Sequence, residues 1–221
     1  PLEGHVEAGS WGTARVGVSG GYGGSAAQGS TFRAGGEWSR SDGHRPGTDY
    51  EALQLHASLS RPAGAGRLSA ELGVARRDFG ARDFYAPFPS YERTRSYTAS
   101  TRWAGPVTDD VRLEPRLSLR RHDDDFLLDR TDPGGYRNEH TTWQTGAEVV
   151  ARRAGRLLDV AGGGELFWDV LESANLGDRT ERRGALFGEA VVGGTGPVTA
   201  AGGLRADWHE RFGAFLSPSL S

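Results

Sequence analysis

Apolar residues recur at every second position over long stretches of this chain, and helical spacing is hard to find. In Val111–His122, the residues Val111, Leu113, Leu117 and Leu119 fall on one side, while Arg112, Glu114, Arg116, Ser118, Arg120 and His122 fall on the other. In Arg67–Arg77, Leu68, Ala70, Leu72 and Val74 oppose Arg67, Ser69, Glu71 and Arg77. In Val198–His209, Val198, Ala200, Gly202, Leu204, Ala206 and Trp208 oppose Thr199, Arg205, Asp207 and His209. A period of two places side chains alternately on the two faces of a strand, so each stretch reads as a strand with one oily and one wet face. Helix is opposed further by glycine, 34 of 221 residues and scattered throughout, each costing about 1 kcal/mol in a helix interior.

The same split recurs around Val16, Ala34, Leu55, Ala99, Ala147 and Leu166. Around Leu186 it is ambiguous, because Phe187 and Val191 share a side with Glu189. Pro115 sits on an apolar face and cannot donate to a ladder, which predicts a bulge. The pattern predicts about ten strands of roughly 10–14 residues, against about 5–6 in ordinary sheets and about 9–11 for strands that cross a bilayer. Connections sort by size. Short turns fall at Arg61–Gly66, Ala104–Pro106, Arg153–Gly155 and Gly193–Pro197, and longer segments at Ser41–Thr48, Phe79–Arg93, Asp123–Glu139 and Ser173–Thr180. Short turns on one side and long loops on the other are the habit of outer-membrane barrels. Trp38, Trp143, Trp168 and Trp208 lie toward the long-loop ends and Trp103 toward a short-turn end, as interfacial aromatic belts require.

Composition narrows the alternatives. The longest uncharged stretch, Val16–Phe32, is rich in Gly and Ser, so no helical span is expected. There is no cysteine, which removes disulfides, cysteine-bearing zinc sites and cysteine nucleophiles. A net charge of -3 gives no nucleic-acid footprint. The six histidines show no H-E-x-x-H spacing, no G-x-S-x-G elbow is present, and the glycine runs Gly20–Gly24 and Gly162–Gly164 lead into no phosphate loop, so no enzyme is expected. Pro1 without a methionine or signal peptide reads as the start of a fragment. A soluble antiparallel sandwich also alternates, but its strands are shorter and its connections do not sort into two classes.

Three stretches resemble TonB-dependent outer-membrane receptors. Asp78–Thr94 (DFGARDFYAPFPSYERT) is similar to an external loop of that family, Gly203–Ser221 (GLRADWHERFGAFLSPSLS) to a later strand, loop and strand, and Val6–Arg15 (VEAGSWGTAR) to an early hairpin. The resemblance implies an all-β, antiparallel up-and-down transmembrane barrel of 22 strands around an N-terminal plug, with this chain supplying about ten of them and lacking the plug. It also implies an outer membrane of a Gram-negative bacterium, active import of a large scarce nutrient such as a ferric siderophore or cobalamin, and partnership with lipid, plug and the TonB complex. The alternatives in other classes are a passive porin-like channel and a soluble β-rich binding domain.

Candidate contacts follow. Phe84, Tyr85, Phe88, Tyr91 and Tyr136 offer aromatic area on long loops for a ligand, or pack those loops together. Arg112, Arg116, Arg120 and His122 face the wet side, where they can meet plug carboxylates or an anionic ligand, or join a charge ladder with Arg102, Glu114 and Glu148. Asp123, Asp124 and Asp125 offer carboxylates for a structural calcium ion, although without EF-hand spacing; a solvated acidic loop is the plainer reading. Cobalamin transporters of the resembled family carry Asp-rich calcium loops near the second external hairpin, where this chain has Asp42 and Asp49. No other cofactor is expected.

Overall fold

A strand that is oily on one side only must lay that side against something apolar, and here all strands solve the problem in the same direction. In the computed structural model, which describes residues 1–24, 29–84, 86–193 and 199–221, the chain forms one antiparallel sheet of 12 strands in sequence order. These are β1 (Leu2–Ala8), β2 (Ala14–Gly23), β3 (Thr31–Ser41), β4 (Tyr50–Ala63), β5 (Gly66–Gly80), β6 (Tyr91–Pro106), β7 (Val111–Leu127), β8 (Arg137–Arg153), β9 (Leu158–Ser173), β10 (Arg179–Val192), β11 (Ala200–His209) and β12 (Gly213–Leu220). The sequence pattern predicts about ten; β1 and β12 are the additional two. Among the described residues β1 pairs only with β2 and β12 only with β11, so the sheet is open, with a bare edge on each side.

Register carries the alternation across strand after strand. Leu117 lies opposite Thr101 and Ala147, Ala147 opposite Leu166, Leu166 opposite Gly184, and Gly184 opposite Trp208. Paired residues share a face, so one face of the whole sheet is apolar. From Leu68 to Val74 on β5, from Val111 to Leu119 on β7 and from Gly184 to Ala190 on β10, that face holds no charged residue. The other face carries Arg, Glu, Asp, His, Ser and Gln. The ambiguous strand resolves the same way, with Leu186 on the apolar face and Phe187 and Val191 on the polar one.

One of the expected turns shifts. Ala104–Pro106 belongs to β6, and the turn falls at 107–110, closed by the Val107 N–H donating to the Val111 carbonyl at 2.9 Å. The turn expected at Gly193–Pro197 lies outside the described residues except for Gly193, as does Val198. Pro115 makes no bulge. The β6–β7 ladder omits two pairs there and resumes at Gly105↔Leu113 in unchanged register, while Pro115 stays paired with Val149 on β8. The missing N–H is thus absorbed as a gap on the β6 side. Large side chains lie over glycines of neighbouring strands: a Cβ on Gly163 would come within 2.7 Å of the Phe187 ring, and one on Gly146 within 2.9 Å of Phe167.

The sheet has almost no interior. Its only buried apolar residues are Leu127, Val150 and Ala185 among those described, and Leu117 is 58% exposed. The accessible surface is 14546 Å² for 23.7 kDa, whereas a compact soluble chain of that mass exposes about 9,800 Å². An apolar sheet face this large needs a covering medium.

Candidate functional site

Above the apolar band the strands continue, and both faces become polar. On the apolar side Arg76, Arg95, Asp123 and Thr141 form one cross-strand row, followed by Asp78, Arg93, Asp125 and Glu139. The expected long loops are therefore shorter than the sequence suggests: Phe79–Gly80, Tyr91–Arg93, Asp123–Leu127 and Arg137–Glu139 belong to strands. Where both faces are wet, alternation vanishes from the sequence although the ladder persists. At the boundary lie Trp38, Trp143, Trp168 and Trp208, all on the apolar face. The Arg121 and Arg182 guanidinium groups stand 5.2 and 5.4 Å from the Trp143 and Trp168 rings, so cation–π contact carries the chain from oil to water. Trp103 marks the opposite boundary, its indole N–H donating to the Ala63 carbonyl at 2.9 Å.

The polar face is tied together by ion pairs. Glu114 joins Arg102 and Arg152, Glu165 and Asp207 both meet Arg205, Arg183 approaches Asp169 at 3.7 Å, and Glu37 receives Arg15 at 3.4 Å. Arg120 donates to Gln144 at 3.0 Å, and His122 Nδ1 meets the Ser96 hydroxyl at 2.7 Å. Arg116 lies opposite Arg102 and Glu148 in register, but neither it nor Arg112 has a carboxylate within 4.0 Å among the described residues. The ladder thus centres on Glu114, and two members of the arginine column remain available to something outside the sheet. Arg116 and Arg120 border a shallow depression of about 370 Å³ beside Ser118, Gly146 and Phe167.

Three loops, 42–49, 81–90 and 128–136, meet at the same end. Arg130 donates to both Asp49 carboxylate oxygens, at 2.6 and 3.2 Å. Its guanidinium lies 4.4 Å from the Tyr91 ring, and its backbone N–H donates to the Pro89 carbonyl at 3.0 Å. Ser90, fully buried, donates its hydroxyl to the Leu128 carbonyl at 2.8 Å. Paired with Arg130, the Asp49 carboxyl is held below the usual carboxylate range, and the Arg130 guanidinium is pushed above its ordinary value.

Set beside solved structures, the sheet matches part of larger barrels. The siderophore receptor PiuA from Acinetobacter baumannii superposes with a TM-score of 0.74 at 11% identity, over 100% of this chain and 45% of that one. The fold is that of part of such an antiparallel barrel. The siderophore receptor PirA from Pseudomonas aeruginosa gives 0.70 at 17% identity, over 99% and 38%. The copper transporter OprC gives 0.74 at 12%, over 99% and 42%. This chain spans less than half the length of these proteins. No family model and no curated sequence matches it.

The sequence candidates fare unequally in this frame. Phe84 and Phe88 stand exposed on loop 81–90, at 74% and 42%, whereas Tyr85 lies outside the described residues. Tyr91 is on the apolar-side face, covered by Arg130 and Arg93, and braces the loops. Tyr136 is exposed, and its hydroxyl accepts from Asn138 at 3.2 Å and Asn175 at 3.0 Å, linking two loops. Asp123, Asp124 and Asp125 are not in a loop. Consecutive strand positions send Asp124 to the face opposite the other two, and Asp123 and Asp125 are engaged by Arg121 and Arg137. No group of three metal-ligating side chains suited to a metal ion occurs among the described residues. Sequence reasoning misses the Arg130–Asp49 pair, whose members are 81 positions apart. It also misses Phe167 on the polar face, under Arg183, while Phe187, which shares a side with Glu189 in the sequence, lies on that face under Arg205.

Proposed function

We propose that this chain forms part of the wall of a TonB-dependent outer-membrane receptor that captures and actively imports a large scarce nutrient. The observation that carries this reading is the sheet's uniform sidedness, apolar toward a bilayer and charged toward a lumen, with the clustered loops at one end. PiuA and PirA are siderophore receptors, which favours a ferric siderophore over cobalamin as cargo. Phe84 and Phe88 would contribute to capture. Arg112 and Arg116 would meet carboxylates of a plug in the lumen, and the role is transport rather than catalysis.

The test is deletion of the parent gene, followed by growth and uptake on defined ferric siderophores and on cobalamin. Loss of uptake of one chelate, restored by the intact gene, is the expected result. Unchanged uptake of all of them, with solutes passing in the absence of TonB, would favour a passive channel instead.

A further inference from the structure

Each of the three loops at the long-loop end closes its own hairpin, yet none is held by that hairpin alone. Asp49 ends loop 42–49, its carboxylate takes both Arg130 donors from loop 128–136, and its carbonyl accepts the Gly80 N–H at 2.8 Å. Arg82 of loop 81–90 donates its backbone N–H to the Gly47 carbonyl at 3.2 Å. Pro89 and Ser90 of that loop bond the backbone of Arg130 and Leu128. Among the described residues the Arg130 side chain reaches Asp49 of the first loop and the Tyr91 ring, which opens β6 directly after loop 81–90.

We infer that Arg130 is a positioning residue that locks loops 42–49, 81–90 and 128–136 into a single preformed capture platform, so that they open together rather than as separate lids. The inference rests on the proposed receptor role, because only there does presentation of Phe84 and Phe88 matter. A bidentate guanidinium–carboxylate pair fixes direction as well as distance, which a lysine at the same place would not. Ordering the loops before the ligand arrives removes that entropy from the binding step.

The experiment uses the whole receptor in detergent, with trypsin cutting after Arg82 and a nitroxide carried by Phe84→Cys, His44→Cys or, as a remote control, Phe212→Cys. Arg130→Ala should raise cutting after Arg82 about tenfold, since proteolysis follows the open population. It should also mobilise labels at positions 44 and 84 together while leaving position 212 unchanged. Arg130→Lys should fall between, and the exchange Arg130→Asp with Asp49→Arg should recover much of the rigidity. Labels at 44 and 84 that stay immobile in Arg130→Ala, or of which only one loosens, would overturn the inference. If Arg130→Ala fails to assemble, Asp49→Asn serves the same readouts. No step requires the cargo, so failure of the uptake assay leaves this result standing and sinks only the receptor reading.

Discussion

The two faces of β7 differ by a single residue step and by everything else. Leu117 and Leu119 are exposed, without polar contacts, and matched by Ala or Thr on both neighbouring strands. Glu114 and Arg120, a few positions away on the opposite face, are held by Arg102, Arg152 and Gln144. The contrast teaches that neither face is a protein core. One is built for a medium that cannot hydrogen-bond and the other for one that can, and backbone satisfaction by the ladder lets a single strand serve both.

If the two faces meet different media, a charge placed on one must act differently from a charge placed on the other. Leu117→Arg should cost about 2–4 kcal/mol in a bilayer, while Ser118→Arg, on the polar face, should be tolerated; urea unfolding of the lipid-reconstituted protein measures both. Bromolipid quenching sharpens the assignment without a stability change. Fluorophores on cysteines at Leu72, Leu117 and Leu204 should be strongly quenched, and those at Glu71, Arg116 and Arg205 weakly. Glu114→Gln should cost about 1–2 kcal/mol by leaving Arg102 and Arg152 without their shared carboxylate, seen as a lower unfolding midpoint.

A smaller effect separates loops from wall. Asp49 has a folded value below its unfolded one, so its pair contributes fully above the ordinary aspartate range and fades as pH falls through the depressed value. Loop mobility at position 84 should therefore rise only in strongly acidic buffer, and Asp49→Asn should abolish that dependence. Least of all, Phe84→Ala should leave the unfolding stability within about 0.5 kcal/mol of wild type, because the residue is 74% exposed.

Most of the sheet is legible in the sequence because its apolar and polar faces impose opposite demands on alternate residues. Leu68–Val74 and Val111–Leu119 announce their faces by spacing alone, and the tryptophans mark where the band ends. The legibility stops where the demand stops. Beyond Arg121 and Arg95 both faces are wet, and strand residues such as Asp123–Asp125 pass for an acidic loop. Pro115 misleads differently, since a lost donor can be absorbed as a gap without an inserted residue. The loop clasp carries no periodic signal, because Asp49 and Arg130 are joined by folding rather than by sequence neighbourhood.

The bare margins of β1 and β12 have a practical consequence. Each offers a row of free donors and acceptors to any other extended chain. Produced without strands to border it, this segment should zip onto copies of itself, giving ribbons whose length grows with protein concentration, and a donor peptide matching a margin should cap that growth.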